Sequence, residues 1–173
     1  MPQLEAWLQA RGHDVVVTNA GVSGDTTAGG AARVAWTLTP DIDAMIVTLG
    51  GNDLLRGIDP AESRKNLEKI LSAAKEASVE VLLAGLSAPG NFGPAYKNDF
   101  DAIYPELSSD YGTLLVRDFF AGLVAARDAG ATTTDLMQAD GIHPNDKGEK
   151  LIVEALGPKV EELIRKSERA TQG

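Results

Sequence analysis

Four short apolar runs punctuate the chain, at Val15–Val17, Met45–Leu49, Val79–Ala84 and Leu114–Val116, each bounded by polar or glycine residues. Runs of this length with such boundaries predict buried β-strands. Between them the apolar positions recur at helical spacing: Gln3–Ala10, Gly29–Leu38, Ala61–Ala77 with Leu67, Ile70, Leu71 and Ala74 on one face, and a last helix over about Asp146–Arg165. The alternation predicts an α/β protein with a parallel sheet covered by helices on both faces. Asp59-Pro60 reads as an N-cap followed by proline in the first helical turn, and Asn145 as the cap of the final helix. No repeat, low-complexity linker or shift in composition divides the chain, so residues 1–165 are expected to form one domain and residues 166–173 a frayed tail.

Composition narrows the classes of function. The 173 residues, 18.2 kDa, suffice for one domain with a sizeable core. Lys and Arg number 16 against 25 Asp and Glu, a formal net charge of −9, so nucleic acid and anionic lipid surfaces are not expected partners. The absence of cysteine removes disulfides, thiolate metal sites and thiol nucleophiles. With His13 and His143 the only histidines, a zinc site would need two carboxylates that nothing in the pattern places, so no metal or cofactor is expected. Neither a Gly-Lys-Ser/Thr ending nor a Gly-x-Gly-x-x-Gly follows a strand, which argues against nucleotide binding. No apolar stretch has the length of a membrane helix, and Met1-Pro2-Gln3-Leu4-Glu5 lacks the basic and apolar regions of a signal peptide. The chain reads as soluble and without an address, its oligomeric state open.

In an open parallel sheet, ligands bind beyond the carboxyl ends of the strands, so the segments that follow strands are searched first. Asn19-Ala20-Gly21-Val22-Ser23-Gly24-Asp25-Thr26 and Gly50-Gly51-Asn52-Asp53 both set small residues beside hydrogen-bonding groups. Asp140-Gly141-Ile142-His143-Pro144, just before the final helix, holds one of the two histidines. Singly, each also reads as ordinary structure: a strand-to-helix turn capped by Asp25 or Thr26, a tight glycine turn, and a histidine satisfied by Asp140. Their order on a chain of this length is far more specific than any one of them.

Together with Arg56-Gly57-Ile58-Asp59-Pro60 and Phe100-Asp101-Ala102-Ile103-Tyr104-Pro105, these segments resemble the second, third and fifth blocks of the SGNH (GDSL) hydrolase family. Within it they are most similar to the bacterial thioesterase I, lysophospholipase L1 and arylesterase group, over about Leu4 to Leu163. The resemblance implies the SGNH hydrolase fold, a doubly wound, flavodoxin-like parallel sheet with helices on both faces, and metal-free hydrolysis of small-molecule esters or thioesters by a serine nucleophile. It implies His143 as general base and Asp140 as the carboxylate that orients it, the Gly24 N–H and the Asn52 amide as oxyanion donors, and Leu55 and Ile58 as substrate-lining residues. Such a division of labour is chemically coherent. A carboxylate accepting from imidazole Nδ1–H leaves Nε2 free to take a proton, and a glycine N–H beside a neutral amide can meet developing negative charge.

The family's first block, Gly-Asp-Ser-Leu, is not found in these residues, and the family spacing places its serine shortly upstream of Met1. The chain is therefore expected to lack the nucleophile, to be inactive or very weak as given, and to lack the first, central strand of a 2-1-3-4-5 sheet. Ser23, the nearest serine in sequence to the site, is the candidate for a surrogate nucleophile, but the absence of a Gly-x-Ser-x-Gly elbow around it argues against that role. A second reading is a non-catalytic module that binds acyl or carboxylate ligands on a hydrolase scaffold. Relatives are often exported to the periplasm, which leaves the compartment open.

Overall fold

The computed structural model describes residues 2–171, which divide into two compact units: 2–19 with 119–161, and 20–118 with 162–171. The larger unit holds the sheet. Strands β1 (Ala44–Val47), β2 (Glu80–Ala84) and β3 (Leu114–Val116) lie parallel in the order β1-β2-β3, with Ala44 opposite Glu80 and Leu82 opposite Leu114. A parallel ladder of near-continuous Val, Leu and Ile is what an α/β architecture requires. The helices of this unit are α2 (Thr27–Thr37), α3 (Gly51–Arg56), α4 (Pro60–Glu76) and α5 (Pro94–Tyr111). Leu67, Leu82, Leu83, Ala84, Phe100 and Leu107 are fully buried in it.

Local chemistry explains most boundaries. Asp59 caps α4 by accepting from the Ala61 N–H at 2.9 Å, and Pro60 fills the first turn, where a missing N–H costs nothing. Gly50 precedes α3 at φ +114, and a Cβ there would lie 2.2 Å from the Tyr104 hydroxyl, so both conformation and space demand glycine. The sequence pattern had not marked α5. It carries a ladder of rings, Phe92 before it and Tyr96, Phe100 and Tyr104 within it, with successive centroids 5.0, 6.2 and 5.8 Å apart. Spacing of four residues stacks them along one helix face.

In the smaller unit, α1 (Pro2–Gln9) buries Leu4 and Leu8. The other helices are α6 (Ala121–Asp128), α7 (Thr133–Leu136) and the first part of α8 (Asp146–Thr171). The Trp7 ring lies over Gly157 of α8, where a Cβ would sit 2.4 Å from it. Leu123, Leu136 and Ile152 form this unit's own buried cluster. Asn145 caps α8 as expected, its Oδ1 accepting from the Lys147 and Gly148 N–H groups at 3.0 Å each.

Two expectations are corrected. Val15–Val17 is not a strand; Val16 is 88% exposed and the segment pairs with no strand among the described residues. Apolar residues of strand length still need a neighbour whose N–H and C=O groups complete the ladder. The segment expected to fray after Arg165 is helical to Thr171, tied down by Lys166, whose Nζ donates to the Gly112 carbonyl at 3.0 Å and pairs with Glu80 at 2.7 Å. Gln172 and Gly173 lie outside the described residues. Among the described residues no helix is long and apolar enough to cross a membrane.

Candidate active site

In the larger unit, two segments that follow apolar runs are sewn together by side chains. Residues 20–26 form no regular element, and Gly24 sits exposed in a turn at φ +77. Three donors hold the carbonyls of this loop: Arg33 that of Ala20, Arg56 that of Gly24 at 3.0 Å, and Asn52 Nδ2 that of Asp25 at 2.9 Å. Arg33 also pairs with the Asp25 carboxylate at 2.8 Å. Asn52 projects from the first turn of α3 and is half-buried. Its amide carries two N–H groups, so the bond to Asp25 uses one and leaves a second for a ligand. The Gly24 peptide and the Asn52 amide are thus joined through a single intervening residue.

Beneath them Asp53, with no exposed surface, accepts from Thr27 N–H at 2.9 Å, Thr27 Oγ1 at 2.5 Å and Ser63 Oγ at 3.0 Å. Asn66 Nδ2 donates in turn to Thr27 Oγ1 at 3.2 Å. Nothing in the one-dimensional pattern singled out this carboxylate. Its signal was its place beside Asn52 in an otherwise small and apolar stretch.

Leu55, at 62% exposed, and the half-buried Ile58 flank the end of α3, where Phe92 packs against Gly57 and Tyr96 donates to the Ile58 carbonyl at 2.8 Å. The loop after β2 is clamped from α5. Asp101 accepts from Ala88 N–H at 2.7 Å and Ser87 Oγ at 3.2 Å, and Lys97 Nζ bridges the Ala88 carbonyl and Asp101 at 2.7 Å each. Partial burial works against the Asp101 charge, but these bonds outweigh it and hold the carboxyl below its ordinary range.

The smaller unit carries the other pair. Asp140 Oδ2 lies 2.7 Å from His143 Nδ1, while its Oδ1 accepts from the Ile142 and His143 N–H groups at 2.9 and 3.0 Å. An ionised carboxylate has only acceptors to offer, so Nδ1 carries the hydrogen and Nε2 is left as the basic nitrogen. The bond from the His143 ring, followed by those from the two amides, holds the Asp140 carboxyl at about 2. The loop is pinned at both ends: Gln138 N–H donates to the His143 carbonyl at 2.8 Å and Asn145 N–H to that of Leu136 at 2.9 Å. Gly141, at φ +68, makes the turn between Asp140 and His143. Both side chains face solvent, His143 at 62% and Asp140 at 43% exposure.

The sequence-predicted residues therefore fall into two pairs, Gly24 with Asn52 in the larger unit and Asp140 with His143 in the smaller. Ser23 is exposed in the turn that leads into Gly24.

The model of the GDSL-like lipase/acylhydrolase family matches residues 1–151. The esterase TesA of Pseudomonas aeruginosa is 36% identical over 162 residues, 93% of this chain and 77% of that protein. The thioesterase 1/protease 1/lysophospholipase L1 of Escherichia coli K12 is 36% identical over 149 residues, 86% of this chain and 68% of its own length. Among solved structures, that of TesA aligns with a TM-score of 0.82 at 36% identity, covering 94% of this chain and 87% of its own. AlinE4, an SGNH-hydrolase family esterase, aligns at 0.71 and 42% identity, covering 92% of this chain and 82% of its own.

Proposed function

The chain belongs to the GDSL-like lipase/acylhydrolase family, whose relatives are esterases and thioesterases, and from that premise we propose that His143, Asp140, Gly24 and Asn52 serve acyl transfer from small-molecule esters or thioesters. A serine hydroxyl attacks the carbonyl carbon while His143 Nε2 takes its proton. The oxyanion is met by the Gly24 N–H and the free N–H of Asn52, and the leaving alcohol or thiol departs with the proton from His143. Water then releases the acid from the acyl-enzyme by the same route. The observation that carries this reading is the Asp140 carboxylate, held by two backbone amides so that its other oxygen meets His143 Nδ1 at 2.7 Å. That arrangement supports a single tautomer and one ring orientation, which a general base needs and a merely satisfied surface histidine does not.

The attacking hydroxyl is assigned to a serine in a Gly-Asp-Ser-Leu block, which residues 1–173 do not contain. On this reading these residues by themselves hydrolyse esters weakly or not at all. Leu55, exposed beside Asn52, is assigned to the acyl chain together with Ile58.

The test compares p-nitrophenyl ester hydrolysis by residues 1–173 with hydrolysis by the same residues preceded by a Gly-Asp-Ser-Leu segment from a relative. The addition is expected to raise the rate, and His143→Ala to lower kcat/KM of the longer form by about 10³-fold or more. A rate insensitive to His143→Ala removes the reading. A measurable rate in residues 1–173 that Ser23→Ala abolishes transfers the nucleophile to Ser23. Tight binding of fatty acids with no turnover in either form favours the non-catalytic module.

A further inference from the structure

A carboxylate with no exposed surface is costly to keep, and the bonds that reach Asp53 come from one amide and two hydroxyls, none of them charged. The geometry points to a positioning role: we propose that Asp53 fixes the Gly24 and Asn52 donors relative to one another. This rests on the oxyanion reading of those two residues.

Asn52 and Asp53 are neighbours at the start of α3, and each grips the same short segment. The Asn52 amide holds the carbonyl of Asp25 at 2.9 Å, and the Asp53 carboxylate holds the N–H of Thr27 at 2.9 Å, two residues further on. Arg33 and Arg56 also hold this loop, through exposed bonds to the Ala20 and Gly24 carbonyls. The two bonds from adjacent residues to positions two apart add a ring closed through Asp25, Thr26, Thr27, Asp53 and Asn52, which fixes the segment that follows Gly24 from its buried side. The ring is braced from a third side. Ser63 of α4 donates to the same Oδ1 that accepts from Thr27 Oγ1, and Asn66 donates to Thr27 Oγ1, so neither the carboxylate nor the threonine can change rotamer without breaking several bonds. Thr26 continues the hold by capping α2 through the Gly29 N–H.

A carboxylate suits this place better than an amide of the same shape. The Thr27 N–H can only donate, and both hydroxyls donate as well; an asparagine could satisfy the amide only with its oxygen, and its NH₂ would then make the Thr27 and Ser63 hydroxyls reverse from donors to acceptors. An oxyanion hole works by having its donors in place before charge develops, so an error of about 1 Å in their separation is costly to catalysis. The Asp53 ring supplies that separation from beneath, without touching substrate.

The test reads geometry and not turnover. In ¹⁵N–¹H NMR spectra of the 173-residue chain, Asp53→Asn is expected to shift both the Gly24 amide and the Asn52 side-chain amide signals by more than their linewidths. Thr27→Val, which removes one hydroxyl and keeps the Thr27 N–H, is expected to shift them in the same direction by less. Val81→Ala, in the β2 core, loses stability without touching the ring and is expected to leave both signals in place. Unmoved signals in Asp53→Asn, or equal shifts in Val81→Ala, overturn the proposal. Should Asp53→Asn fail to fold, Thr27→Val decides it alone: shifted signals support the ring and unmoved ones remove it. Because no hydrolysis is measured, an inert protein whose signals shift separates failure of the catalytic reading from failure of this one.

Discussion

Two aspartates, each a few residues or less from a group assigned to acyl transfer, live in opposite surroundings. Asp140 is 43% exposed and faces His143 across a solvated loop, while Asp53 has no exposed surface and lies under Asn52. Both accept three hydrogen bonds, so the number of bonds does not distinguish them. What differs is what their loss would strand. Around Asp140 every donor can turn to water. Around Asp53 the Thr27 amide and the Thr27 and Ser63 hydroxyls, both residues fully buried, have no such recourse. On the proposed reading one carboxylate serves chemistry and the other architecture, and mutation should separate them.

The largest expected difference is in stability. Asp53→Ala leaves three buried donors without an acceptor and opens a cavity, a loss of about 3 kcal/mol or more. Asp140→Ala should leave the midpoint of urea unfolding near that of the unaltered chain. Equal losses in the two variants would erase the contrast. Next come the glycines that shape the two segments. Gly50→Ala combines φ +114 with a Cβ placed 2.2 Å from the Tyr104 hydroxyl, which is itself fixed by donating to the Leu49 carbonyl at 2.8 Å. A loss of about 2–4 kcal/mol is expected. Gly141→Ala has φ +68 but open space around the new Cβ, so about 1–2 kcal/mol is expected from backbone strain alone. Thermal melts of the two variants check the order, which a rigid Asp140 loop packed against neighbours would reverse.

The same contrast explains what was readable in one dimension. The Asp140–His143 pair could be seen in the sequence because its geometry is local: carboxylate and imidazole lie three residues apart and the turn between them needs only Gly141. The caps at Asp59 and Asn145 were readable for the same reason, as were β2 and β3, whose apolar runs match the ladders within a residue. The Asp53 ring joins positions 27, 53, 63 and 66, and no local spacing announces that Thr27 and Ser63 share one oxygen. The missed α5 is instructive: Pro94 lies in its first turn, where proline is tolerated, and only Pro105 lies inside it, while the aromatic residues at 92, 96, 100 and 104 repeat at helical spacing. There the ring ladder accompanies a helix that continues through one internal proline. Val15–Val17 errs the other way: its composition is that of a strand, but a strand is defined by pairing, which composition does not supply.

The smallest effect is the most specific to the solvated pair. The folded-state pKa of Asp140 is depressed to about 2, whereas an unperturbed aspartate titrates near about 3.9. Its contribution is therefore fully present above about pH 4 and is lost as pH falls toward about 2, where the carboxyl takes a proton and releases the His143 ring. Because the group is exposed, this should scarcely move global unfolding and is read locally, by following the Asp140 side-chain carbon in an NMR titration. In the unaltered chain the midpoint is expected at about 2. In His143→Ala the largest cause of the depression is gone while the two backbone amides remain, so the midpoint should rise but stay below that of a free aspartate. A midpoint unchanged by His143→Ala would mean that the amides alone hold the charge. The 2.7 Å contact would then do nothing to orient the imidazole, and the general-base assignment would lose the observation on which it stands.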